Sequence, residues 1–190
     1  MNDFKKQLDS IASNLDLLYS STEAYIQEAI ILLSTTLQAR LPVLVCGNGG
    51  SAADAQHIAG EMVGKFLAQR KALNVRALST DTSVITAWAN DVSYDTVFAR
   101  QVEAYAQVGG VLWVISTSGN SKNVLEAIAQ ARLEGMKVIG LTGANGGRMA
   151  ALCDILIAVP STHTPRIQEM HLMVYHYICE MVEKNFVSLN

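Results

Sequence analysis

Five short apolar runs, each leading into a stretch with helical spacing, constrain this chain more than any other feature of its sequence. Residues 42–46, 75–78, 111–116, 137–141 and 154–159 read as strands, because each is brief and largely apolar. Helical patterns cover 52–68, 82–90, 94–105, a stretch from Ser121, and 165–185, with a short helix after Asn145-Gly146-Gly147. Such alternation predicts a parallel sheet covered on both faces. The expected fold is α/β, a doubly wound five-stranded parallel sheet of flavodoxin-like type. In front of it Phe4, Leu8, Ile11, Leu15 and Leu18 recur at spacings of three and four, which marks one helix face. A second helix is expected from near Thr22 to Arg40, with Pro42 breaking the pattern. The 190 residues are read as a single domain over 1–190, with N-terminal helices over 1–40 and an α/β core over 41–190.

Composition excludes several classes. Half the residues are hydrophobic and only three are proline, so a substantial core is available. A net charge of −3 offers no basic field, and no nucleic-acid partner is expected. An anionic ligand would have to be caught by local geometry. Cys46, Cys153 and Cys179 form no CxxC pair, which argues against a cysteine zinc site or a disulfide framework and for reduced thiols. Charges at Asp3, Lys5 and Lys6 interrupt any secretory apolar segment, and no run approaches the ~18 residues that span a bilayer. The expectation is a cytoplasmic protein with no membrane partner.

Two loops follow strands. Ser116-Thr117-Ser118-Gly119-Asn120-Ser121 carries four hydroxyls between a buried strand and a helix. Hydroxyls and free amides at a helix start both donate to phosphate oxygens, and Gly119 lets the backbone approach an anion. The absence of a lysine in the loop argues against a nucleoside triphosphate and for a single terminal phosphate. Turn and capping chemistry would explain any one of these serines, but capping one helix needs only one. Gly47-Asn48-Gly49-Gly50-Ser51 is weaker as a signal. Ala52 breaks GxGxxG, so dinucleotide binding is disfavoured; the loop is either a tight turn or a backbone approach to a sugar, with Asn48 offering its amide.

The helix after the glycine loop carries His57 and Glu61, four residues apart and so on one face. They read as an exposed helix pair, or as part of a metal site or an acid–base pair. The last helix carries Gln168, Glu169, His171 and His176 among apolar residues. His171 fits a hydrogen-bonded core histidine. Gln168 and His176 are about 12 Å apart along a helix axis, so one ion could use both only from between them or from different subunits.

Taken together and in order, Cys46-Gly47-Asn48-Gly49-Gly50-Ser51, His57 with Glu61, Asn90-Asp91, the hydroxyl loop, and Arg166-Ile167-Gln168-Glu169 with His176 resemble the sugar isomerase (SIS) domain family over almost the whole chain. The resemblance implies an aldose–ketose isomerase. It implies conversion of sedoheptulose 7-phosphate to D-glycero-D-manno-heptose 7-phosphate, a lipopolysaccharide precursor, through an enediol. It further implies a homotetramer with active sites at subunit interfaces. Ser116, Thr117, Ser118 and Ser121 would hold the phosphate. Asn48, Gly49, Gly50, Glu61, Asn90, Asp91 and Gln168 would meet the sugar. His57, Glu61, Gln168 and His176 would bind one Zn2+ per subunit, with Glu61 and His176 as the acid–base pair. One departure stands out: the family can carry an aspartate where this chain has Pro165.

Two rivals share the fold. A noncatalytic scaffold resembling the DnaA initiator-associating protein would share both loops but tends to lack an acid placed like Glu61. A sugar-phosphate sensor would normally be fused to a DNA-binding domain, for which the sequence leaves no length and no basic helix.

Overall fold

The computed structural model describes residues 3–187, so the outermost positions of the expected 1–190 domain, 1–2 and 188–190, lie outside the described range. In chain order the elements are α1 (Asp3–Gln38), β1 (Val43–Gly47), α2 (Gly50–Val63), β2 (Val75–Ala77), α3 (Thr82–Asp91), a 3-10 turn at Tyr94–Thr96, and α4 (Val97–Tyr105). Then come β3 (Val111–Ser116), α5 (Lys122–Leu133), β4 (Lys137–Gly143), a 3-10 turn at Gly147–Ala151, β5 (Ile155–Val159) and α6 (Thr164–Val187).

The five strands form one sheet in the order β2-β1-β3-β4-β5, and every neighbouring pair is parallel. This is the flavodoxin-like order. Successive strand residues feed two separate cores, because side chains alternate across a sheet. Val43, Val45, Trp113, Ile115, Ile139 and Leu141 pack on one face with residues of α1, α2 and α6. Leu44, Cys46, Leu112, Val114 and Val138 pack on the other with residues of α4 and α5. That double burial is why the strands read as continuous apolar runs rather than alternating ones.

One expectation fails at the N-terminus. Residues 3–38 form a single helix, with no break near Thr22. The hydroxyls of Ser20, Ser21 and Thr22 bond back to the carbonyls of Asp16, Leu17 and Leu18 at 3.1, 2.6 and 2.5 Å, so they extend the helix instead of capping a new one. Burial begins only at Leu18; none of residues 3–17 is buried. The second helix ends at Val63 rather than near residue 68, with Gly64 as its C-cap donating to Gly60 O at 2.9 Å.

α2 and α6 pack side by side and run in the same direction. Their contacts advance in step: Gly50 lies at Gln168, His57 at Tyr175 and His176, and the residues just past α2 at Glu183. No helix is long and apolar enough to cross a membrane among the described residues.

Candidate active site

The glycine loop and the hydroxyl loop leave neighbouring strands. β1 and β3 lie side by side with Gly47 opposite Ile115, and the strand order changes direction between them. In an open α/β sheet this is the switch point, where a crevice opens at the carboxyl ends of the strands.

On the β3 side, Ser116 Oγ and Ser121 Oγ stand 3.0 Å apart. Ser121 is the N-cap residue of α5, yet its side chain makes no capping bond, so its hydroxyl is turned toward Ser116. Ser118 does serve the turn, accepting from Asn120 N at 3.2 Å. Asn120 fastens the loop by donating to Ser118 O at 2.8 Å and accepting from Arg148 N at 3.0 Å. Gly119 has a φ of 66°, and a Cβ there would strike the backbone of Gly146. Only glycine satisfies both the left-handed conformation and the close approach.

On the β1 side, Asn48 is held by two residues that sequence reasoning missed. Its Oδ1 accepts from Tyr94 Oη and from Asn123 Nδ2, each at 2.9 Å, and its Nδ2 donates to Asn123 Oδ1 at 2.8 Å. Asn123 is buried at the start of α5. This reciprocal amide pair ties the glycine loop to the start of α5, just past the hydroxyl loop. Gly49, at φ 57°, is the N-cap of α2. Gln168 lies so close over Gly50 that a Cβ there would collide with its amide nitrogen. Asn90 and Asp91 end α3, both exposed, with Asn90 Nδ2 donating to Asp91 Oδ1 at 2.7 Å.

Further along α2, a second group converges. His57 Nε2 is 3.1 Å from Glu61 Oε1 and 3.4 Å from His176 Nε2. One ligand atom from each residue lies within 4.8 Å of the others. The side chain of His57 is 41% exposed and that of Glu61 21%, so the group opens to solvent. Burial, then the neighbouring His57, pushes the pKa of His176 down, with Glu61 pulling the other way. This favours the neutral ring that can ligate a cation or take a proton. Behind His57, Tyr175 Oη is 3.0 Å from Nδ1 and 3.4 Å from Asp54 Oδ1. Burial pushes the Asp54 carboxyl up, while Tyr175 and His57 draw it back.

A buried strut holds the end of α2. Arg70 Nη2 donates to Glu61 O at 2.7 Å, and Arg70 Nε is 3.2 Å from Glu183 Oε1. Glu183 also accepts from the amides of Phe66, Leu67 and Ala68 at 2.8, 2.6 and 2.8 Å.

Within one chain, therefore, the residues expected from sequence fall into two groups. Asn48, Gly49, Gly50, Gln168 and the hydroxyl loop sit at the crevice end. His57, Glu61 and His176 sit lower on α2 and α6. Three of the four expected metal ligands come together, while Gln168 lies about 12 Å up the helix axis from His176. His171 is wholly buried as expected of a core histidine, but among the described residues neither ring nitrogen makes a well-formed hydrogen bond, the Thr142 backbone being its nearest polar neighbour. Burial pushes its pKa down to about 4, so it stays uncharged. Pro165 falls in the first turn of α6, where a missing N–H costs nothing.

Separate comparisons agree with this layout. A family model described as SIS domain matches residues 7–143. The phosphoheptose isomerase of Nitratiruptor sp. is 48% identical over 182 residues, covering 96% of this chain and 97% of that one. The phosphoheptose isomerase of Rhodospirillum rubrum is 54% identical over 163 residues, covering 86% and 87%. The solved structure of phosphoheptose isomerase from Neisseria gonorrhoeae superposes with a TM-score of 0.90 at 40% identity, covering 95% of this chain and 97% of that one. With its sheet order, its two loops at the switch point and full-length relatives of this kind, the chain belongs to the SIS domain family, in its phosphoheptose isomerase group.

Proposed function

We propose that this sugar-phosphate isomerase interconverts sedoheptulose 7-phosphate and D-glycero-D-manno-heptose 7-phosphate, supplying heptose for lipopolysaccharide in the cytoplasm. The observation that carries the reading is the convergence of Glu61, His176 and His57 in a solvent-open group. Phosphoheptose isomerases named for that chemistry align with the chain over nearly its full length.

The donor set fits a divalent cation. Bonds of ~2.0–2.1 Å in a tetrahedron place ligand atoms about 3.3 Å apart. The separations of 3.1 and 3.4 Å around His57 Nε2 match that edge, and all three ligand atoms lie within 4.8 Å of one another. His57, Glu61 and His176 would hold Zn2+ here, and Gln168 of another protomer would supply the remaining protein donor. Bound there, a cation would supply Lewis acidity to the reaction.

The chain's own groups do the rest. Moving the carbonyl between C1 and C2 requires removal of a proton from carbon and exchange of one near oxygen. Glu61 is assigned the proton on carbon. Its carboxylate has two oxygens, so serving the cation site would leave one of them to act as base. His176, kept neutral by its surroundings, is assigned the proton near oxygen. The hydroxyls of Ser116, Thr117, Ser118 and Ser121 grip the phosphate, a remote anchor whose binding energy orients the reacting end. Asn48, Gly49, Gly50, Asn90, Asp91 and Gln168 position the sugar hydroxyls.

The two groups lie apart within one chain, which favours a site completed by a second copy, as in the homotetramer that the family resemblance implies. An apolar groove of about 340 Å³ between α1 and α6, lined by Leu15, Tyr19, Met173 and Tyr177, offers a surface for such a copy. The scaffold alternative has no use for Glu61 or for two converging histidines.

The test is an isomerisation assay on purified protein with sedoheptulose 7-phosphate, with and without chelator. Glu61→Gln and His176→Ala should fold and assemble but lose nearly all turnover. Wild-type turnover in both variants would reject the acid–base assignment, and turnover indifferent to exhaustive chelation would reject the metal.

A further inference from the structure

We infer that Tyr175, backed by Asp54, is a positioning residue that fixes the His57 ring with Nδ1 protonated and the Nε2 lone pair turned into the Glu61–His176 group. The inference deepens the metal reading above and rests on it only for the affinity it predicts.

Asp54, His57 and Glu61 lie at i, i+3 and i+7 on α2, one face of the helix. Tyr175 comes from α6 and is wholly buried, so core packing sets its hydroxyl in place. Its ring meets that of His57 edge-on, with centroids 5.5 Å apart and planes at 71°. The hydroxyl is 3.0 Å from His57 Nδ1 and 3.4 Å from Asp54 Oδ1.

A tyrosine hydroxyl has one proton to give. An ionised carboxylate can only accept, whereas a neutral imidazole nitrogen donates or accepts according to tautomer. Asp54 Oδ2 is buried and meets no donor among the described residues, so Tyr175 is the side-chain donor that its carboxylate has. Donation to Asp54 leaves the Tyr175 oxygen to accept from Nδ1–H, and Nε2 is then bare. The rival arrangement has Nε2–H donating to Glu61 Oε1 at 3.1 Å and Tyr175 donating to Nδ1. It would leave the half-buried Asp54 carboxylate, whose Oδ2 already lacks a donor among the described residues, with no side-chain donor at all, which is costly. Glu61, being partly exposed, can be hydrated instead. The contact to Asp54 is long for O–H···O, so its part is to decide where the proton points, while the shorter contact to Nδ1 sets the ring's orientation. Outer partners of this kind fix the tautomer and direction of a ligating histidine.

The experiment uses metal-free, uniformly 15N-labelled full-length protein at mildly alkaline pH. Long-range 1H–15N correlation reads the imidazole tautomers, and the His57→Gln spectrum assigns His57 among the four histidines. Wild type should show the Nδ1–H tautomer. Tyr175→Phe, which keeps the ring packing, and Asp54→Ala, which frees the hydroxyl to donate to Nδ1, should both shift His57 to Nε2–H. Zinc affinity by chelator competition should fall roughly 10–100-fold in Tyr175→Phe, with the thermal melt little changed. An Nε2–H tautomer in wild type, or an unchanged tautomer in both variants, overturns the inference. If Tyr175→Phe fails to fold, the Asp54→Ala tautomer decides. If wild type binds no zinc, the metal reading fails while the tautomer spectra still judge Tyr175.

Discussion

Glu183→Gln should cost about 3–5 kcal/mol of folding free energy, the range for removing one partner of a buried charge pair. The side chains of Glu183 and Arg70 are 3% and 1% exposed. Three backbone amides and the guanidinium converge on the two carboxylate oxygens. Glutamine keeps the shape but offers one acceptor oxygen. At least one amide then faces an NH2 group, and Arg70 keeps a buried charge with no counterion. Urea denaturation near neutral pH would read the loss directly. At about 2–4 °C per kcal/mol for a chain of this size, the melting temperature should drop by roughly 6–20 °C. The pH dependence supplies a second check. Burial pushes the Glu183 carboxyl up, but the amides of Leu67, Ala68 and Phe66 and the charge of Arg70 outweigh it and hold it below its ordinary value. A carboxyl depressed in the fold stabilises fully above its unfolded pKa of ~4.3 and loses that contribution as pH falls through the folded value. Wild type and Glu183→Gln should therefore converge in stability as the solution is acidified. Hydrogen exchange localises the effect: the amides of Phe66, Leu67 and Ala68 should lose protection first. A stability difference under 1 kcal/mol near neutrality, or one that persists undiminished into acid, would refute the reasoning.

Ser118→Ala combined with Ser121→Ala should raise KM far more than it lowers kcat, measured by steady-state isomerisation, because the hydroxyls are assigned to the phosphate and not to the reacting carbons. Gly50→Ala should displace Gln168, whose amide occupies the space a Cβ would need, and so lower turnover while the melting temperature changes little.

The sheet was legible because burial on both faces leaves its mark in every strand. Val111–Ser116 could be read straight from its apolar run. The helix break near Thr22 was misread because a serine-threonine cluster has two uses, capping and back-bonding, and residue type alone does not choose between them. His57 and Glu61 were visible as a helical pair. That His176 joins them depends on α2 and α6 running parallel in register, which no local pattern states. Asn123 and Tyr175 were missed for the same reason: their partners Asn48 and His57 lie 75 and 118 positions away. A local clue to the His57 support did exist, since Asp54 shares its helix face three residues earlier.

The overhanging first half of α1 has a consequence for how the chain completes its folding. In its first fifteen residues Phe4, Leu8 and Leu15 are exposed and only Ile11 and Asn14 are half-buried, so little of its own chain supports this stretch. The packed half of α1 nucleates it, but beyond that half it gains little from burial and can fray. In the assembly proposed above a second copy would cover those side chains, and the last step of folding would then be bimolecular. Helical signal should then climb with protein concentration even after every monomer core has formed.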